Sequence, residues 1–204
     1  MNSPPELQIL SHHIAIWHTF DRSVKADLFS TAIATAQGTA LIDPIPLHPD
    51  SLIALQEKSP VSAIVVTSQN HWRASEQLCR QLCVPIFAQA NAQLEHRSVE
   101  FTAIAGGDRV NESLEVVRIE GAAPGEIAIY TEQHDGTLIV GDALINFEPY
   151  GFTFLPAKYC ENHRQMRSSL RQLAERQVNR ILFAHGLPIL SGADSRLRAL
   201  LNSE

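Results

Sequence analysis

Apolar and polar residues alternate along "HHIAIWHTF", and "ADLFSTAIATAQG" is rich in apolar and β-branched residues, so the chain opens with strands. "TALIDPI" is a third strand, ending in a turn marked by proline. The period then changes. "HPDSLIALQEKSP" reads as a helix, with Asp50 or Ser51 as its N-cap and Pro60 beyond its end. "VSAIVVTS" is a near-continuous apolar run, the pattern of a strand buried on both faces. "RASEQLCRQLC" follows as a helix with Leu78, Cys79 and Leu82 on one side.

The second half repeats this order. "VPIFAQ" is a further short strand, and "LEVVRIEG", "EIAIYTEQ" and "GTLIVGDAL" then form a strand series, the last two joined by a turn at His134, Asp135 and Gly136. Residues 161–178 form an amphipathic helix with Met166, Leu170 and Leu173 on its apolar stripe. "NRILFAHGLPI" is a buried strand ending at His185 and Gly186, and "GADSRLRALLNS" is a closing helix. Two runs of strands, each followed by helices, predict two packed sheets with helices outside.

Composition narrows the classes. At 204 residues, without linker, repeat or low-complexity segment, the chain fits one domain, 1–204, large enough for a substantial core. A net charge of −6 excludes non-specific nucleic-acid binding, which needs a basic face. No apolar stretch approaches the ~20 residues needed to span a bilayer. "MNSPPELQIL" lacks the basic start and apolar core of a signal peptide, and the three cysteines, Cys79, Cys83 and Cys160, have no disulfide-scaffold spacing. Both features suit the cytoplasm. Cys79 and Cys83 share a helix face, but no second pair of soft ligands follows, so packing is their role.

Candidate chemistry centres on "VVTSQNHWRASEQL", a strand running into a polar turn and then a helix. Ser68, Gln69, Asn70, His71, Trp72 and Arg73 occupy a turn that displays side chains at a sheet edge, yet by type they form no ligand set or acid–base pair.

Five phrases, in order and at matching spacing over about residues 30 to 190, together resemble the metallo-β-lactamase superfamily. "TALIDPI" is similar to its early strand ending in Asp, and "VVTSQNHWR" stands where that family has a Thr-His-x-His-x-Asp-His turn. "IEGAAPGEIAIY" resembles its Pro-Gly-His-Thr-Pro-Gly-Ser segment, "LIVGDAL" its Gly-Asp strand, and "ILFAHGLPI" its terminal Gly-His-Gly. The resemblance implies an α/β (α+β) fold, a four-layer αββα sandwich with a two-metal site between the sheets.

Carried over position by position, Ser68 and Asn70 stand at the first two His ligands, Trp72 at the Asp, Arg73 at the final His of the turn, and Ala122 at the next His. Asp142 and His185 alone keep ligand types, and His71 is offset by one from a ligand position. A zinc site needs three or four N, O or S donors, so two retained donors fix no geometry. His12, His13, His18, His48, His96, His134 and His163 match no ligand pattern.

The expectation is a degenerate dinuclear zinc site in a pseudoenzyme, without cofactor, whose inter-sheet cleft binds a small molecule or a protein partner. The rival is a metal-dependent hydrolase with a single zinc or other divalent ion on Asp142 and His185, completed by His71 or water. A homodimer is a third possibility. If the metals are lost, Asp142 needs a new partner. The Arg73 guanidinium is expected to pair with it beside His185, with Trp72 filling the emptied pocket.

Overall fold

The computed structural model describes residues 5–93 and 100–203, so His96 lies outside the described residues. Strands Gln8–Ile9, Ile14–Asp21, Ala26–Thr35, Gly38–Ile42, Val61–Val66, Ile86–Gln89 and Thr102–Ile104 lie side by side in chain order in a first, mixed sheet. The second sheet orders Arg180–Phe183, Thr137–Val140, Ile127–Thr131, Leu114–Arg118 and Arg109–Val110. A short hairpin, Leu144–Phe147 with Gly151–Phe154, stands beside it.

Three apolar layers hold these elements as an αββα sandwich. Between the sheets, Ile33, Ile42, Ala63 and Val65 pack against Val116, Ile127, Ile129, Ile139 and Leu182. Outside the first sheet, Ile64 and Val66 meet Leu52, Leu55 and Leu78 of the helices Pro49–Lys58 and Ser75–Leu82. Outside the second, Leu138, Val140 and Ile181 meet Met166, Leu170 and Leu197 of the helices His163–Leu170 and Ala193–Leu201. Val61–Val66 therefore reads as a continuous apolar run because alternate side chains serve two different layers. Fully burying each such side chain stabilises by about 1.5–3 kcal/mol.

Local details correct two expectations. The first helix is capped two residues before the earlier of the two expected caps, with Pro49 at its first position and His48 as N-cap, whose Nδ1 accepts from Asp50 N at 3.3 Å. The helix expected over 161–178 is α-helical only over His163–Leu170 and tightens to a 3₁₀ turn at Arg171–Glu175. Among the described residues no helix is long and apolar enough to cross a membrane.

One edge of the sandwich gathers the strand ends that matter. Gly38–Ile42 and Val61–Val66 run parallel, as do Thr137–Val140 and Arg180–Phe183. Past their C-terminal ends come Asp43, Thr67, Asp142 and His185. There Ile127 N donates to Thr67 O at 2.8 Å and Phe29 N to Ala184 O at 2.9 Å, joining the two sheets.

Candidate metal centre

After Val66 the chain bends into a 3₁₀ turn, Gln69–His71, with Ser68 as its N-cap. The Ser68 hydroxyl accepts from Asn70 N at 3.3 Å, and Gln69 N donates to Pro124 O of the facing segment at 3.0 Å. This turn swings the buried His71 ring into the space between the sheets. Asp43 fixes the ring from behind. Its carboxylate accepts from Thr67 N at 2.8 Å and Thr67 Oγ1 at 2.5 Å, and lies 3.0 Å from His71 Nδ1. Nδ1, facing a carboxylate, carries a proton, and Nε2 points the other way.

On the opposite sheet, Asp142 follows Thr137–Val140. Its Oδ1 lies 3.2 Å from His71 Nε2 and 3.4 Å from His185 Nε2, and its Oδ2 accepts from Asn70 Nδ2 at 3.0 Å. His185 Nδ1 stands 3.2 Å from Asp27 O, and a carbonyl only accepts, so Nδ1 carries the hydrogen. Neutral His185 then has no proton on Nε2, and a lone pair faces the Asp142 oxygen. His71 Nε2 is buried and makes no aligned hydrogen bond, its Asp142 contact being an ion pair only.

The charges follow from this geometry. Burial opposes ionisation of His71, but Asp142 and Asp43 outweigh it and push the imidazole up to about 10. Burial and the neighbouring His71 charge push His185 down to about 4. Asp142 is driven below the usual carboxylate range, because the His71 charge beside it and the Asn70 hydrogen bond overcome its burial.

His71, Asp142 and His185 form a group whose ligand atoms all lie within 4.8 Å of one another, the one such group among the described residues. Tetrahedral donors on bonds of about 2.0–2.1 Å stand about 3.3 Å apart, close to the two spacings onto Asp142. Each imidazole also donates its other N–H to a fixed acceptor, as metal-ligating histidines do. Two histidines and one carboxylate suit zinc or iron. The residues therefore fit one divalent ion.

Several sequence expectations change here. His71 joins Asp142 and His185 as a candidate third donor, as the single-metal rival has it, because the 3₁₀ turn aims it inward despite its offset in the ligand spacing. Arg73 does not pair with Asp142, since no ion pair within 4 Å joins them among the described residues. Its Nη1 donates to Phe29 O at 2.6 Å and Asp43 O at 3.0 Å, and its Nη2 to Ala184 O at 3.4 Å. Three carbonyls converge where the sheets meet, and His71 already occupies the position beside Asp142. Trp72 fills no emptied pocket. It is adjacent to an inward-facing residue in a helical turn, so its ring points away, among Ala74, Leu78 and Ile86 on the helix side, with Nε1 donating to Ala92 O at 2.7 Å. Ala122 is buried against Met166 and Leu170.

Two acids went without a role in the sequence reading. Asp43 closes the "TALIDPI" phrase. Glu126 opens an apolar strand after Pro-Gly and is fully buried, with Oε1 accepting from Ala143 N at 3.0 Å and Oε2 without a hydrogen-bond partner. An acid opening an apolar strand was the signal, and it also reads as an ordinary turn residue.

Comparison with known proteins places this geometry. A family model described as the metallo-beta-lactamase superfamily matches residues 9–203. No curated protein matches the sequence. Among solved structures, a metallo-beta-lactamase from Erythrobacter litoralis, with beta mercaptoethanol in its active site, superposes with a TM-score of 0.77 at 14% identity, over 98% of this chain and 97% of its own. A metallo-beta-lactamase from Pontibacter korlensis gives 0.72 at 16% identity, over 95% and 99%. TTHA1623, in a di-iron-bound form, gives 0.64 at 18%, over 88% and 97%.

Proposed function

We propose, for a chain that belongs to the metallo-β-lactamase superfamily, that it binds a single divalent transition-metal ion through His71 Nε2, the Asp142 carboxylate and His185 Nε2, and is a metal-dependent hydrolase. When bound, such an ion supplies Lewis acidity toward a substrate carbonyl or phosphoryl oxygen and makes water a stronger acid. One observation carries the reading: His185 Nε2 and an Asp142 oxygen converge at 3.4 Å while His185 Nδ1 faces the Asp27 carbonyl at 3.2 Å, the arrangement of a neutral imidazole turning its lone pair to a carboxylate. Two acceptors facing each other repel, and a cation between them removes the repulsion.

The chain's own residues do the rest. Asp43 holds a proton on His71 Nδ1, so the proton that a bound ion would displace is the one on Nε2. The Asp27 carbonyl likewise holds a proton on His185 Nδ1. Asn70 holds the second Asp142 oxygen. Serine, asparagine, tryptophan and arginine at the turn's ligand positions leave no donor set for a second ion, so the stoichiometry is one.

A second reading rests on the position of His71 between two carboxylates, 3.0 Å from Asp43 and 3.2 Å from Asp142. As an imidazolium it offsets one of the two charges without any metal, and the Arg73 guanidinium nearby offsets the other, leaving a cleft for a small molecule or a protein partner. Metal analysis of protein purified without chelators, followed by calorimetric zinc titration, separates the two. The hydrolase reading expects about one metal per chain. It also expects His71→Ala to weaken zinc binding more than the ~10–100-fold typical of losing an outer-shell partner. Wild-type protein that takes up no zinc, iron or manganese leaves only the metal-free reading.

A further inference from the structure

We infer that Glu126 is a positioning residue for this centre: its side chain seats the Gly141–Ala143 turn and thereby aims the Asp142 carboxylate at the two imidazoles. The inference rests on the metal-binding reading above.

Glu126 engages both neighbours of Asp142. On one side its Oε1 accepts from Ala143 N at 3.0 Å. On the other, a Cβ on Gly141 would stand 2.6 Å from Glu126 Oε1 and 2.7 Å from Thr67 Oγ1, so only glycine lets the turn pass between them. The turn is thus wedged between Glu126 and Thr67, the residue that also braces Asp43 and His71. Glu126 itself is anchored through its backbone, with N donating to Ala123 O at 3.2 Å and O accepting from Ile119 N at 3.0 Å. Leu155 N closes the far side by donating to Ala143 O at 3.1 Å.

The form of the side chain follows. A buried carboxylate with one donor is strongly disfavoured. Burial, with the nearby Asp142 charge adding to it, pushes Glu126 well above the usual 4.5. Oε2 makes no hydrogen bond, so Oε1 alone carries the contact. An amide keeps that acceptor. A thioether of similar length does not.

The test compares wild type with Glu126→Gln and Glu126→Met by two readouts: amide hydrogen exchange at Ala143 in the metal-free protein, and zinc affinity by calorimetry. Glu126→Gln should retain slow exchange at Ala143 and bind zinc within about twofold of wild type. Glu126→Met should release the Ala143 amide and weaken zinc about 10–100-fold, the cost of losing an outer-shell support. A folded Glu126→Met with wild-type zinc affinity, or with Ala143 still protected, overturns the inference. If Glu126→Met does not fold, Glu126→Gln decides alone, and a tenfold loss of zinc affinity there overturns it. Wild-type protein that binds no zinc instead removes the reading on which the inference stands, and the two failures are distinct.

Discussion

Behind each half of the candidate centre stands a buried acid, and the two acids are shifted in opposite directions. Asp43 supports the His71 turn as a carboxylate. It has two Thr67 donors and His71 Nδ1 within 3.0 Å, and its pKa lies below the usual 3.8 although burial works against it. Glu126 supports the Asp142 turn with its ionisation opposed, its pKa pushed well above the usual 4.5 by burial and the nearby Asp142 charge. It has one backbone donor and a repelling neighbour. Burial is complete for both, so the donors and nearby charges decide the outcome. Where three donors and a cation converge, a buried charge is retained. Where only one donor reaches, ionisation is opposed.

That contrast breaks most visibly under amide substitution. Asp43→Asn removes a charge that balances His71 and Arg73, and should destabilise the metal-free protein by about 3–5 kcal/mol in urea unfolding. An effect below about 1 kcal/mol would show that Asp43 is not the ionised support. Arg73→Ala comes next. It withdraws a charged donor from three carbonyls and should cost about 2–4 kcal/mol. Adding Asp142→Asn should recover none of this, because the two side chains are not paired, and recovery would restore the pairing expected from sequence.

Smallest is the pH signature. Asp43, with its folded pKa lowered, contributes stability above about 3.8 that is lost as pH falls through the folded value. Glu126, with its folded pKa raised, contributes stability that is full below about 4.5 and is lost as pH rises toward the folded value. Glu126→Gln cannot ionise, so it should gain on wild type as pH is raised from about 4.5 to 8. A constant difference across that window would mean Glu126 is ionised in the fold.

Most of the architecture was legible, because period-two and continuous apolar runs report which layers a strand serves, as in Val61–Val66. The centre was legible in half. Asp142 and His185 follow strands directly, so their positions in the phrase fix where they point. His71 sits in a turn, and a 3₁₀ turn advances side chains by about 120° per residue, which ligand spacing in one dimension does not encode. The same rotation explains Trp72, one step on and facing outward. For Arg73, its place at the turn's final ligand position and charge complementarity both point to Asp142, whereas backbone carbonyls, invisible in a sequence, stand closer.

Arg73 gathers carbonyls from Phe29, Asp43 and Ala184, and so staples the two sheets at the rim of their shared cleft. A cleft stapled at its rim does not breathe by parting its walls. An ion proposed to bind there would have to pass the surrounding loops, such as the tip between Asp21 and Ala26, rather than part the sheets.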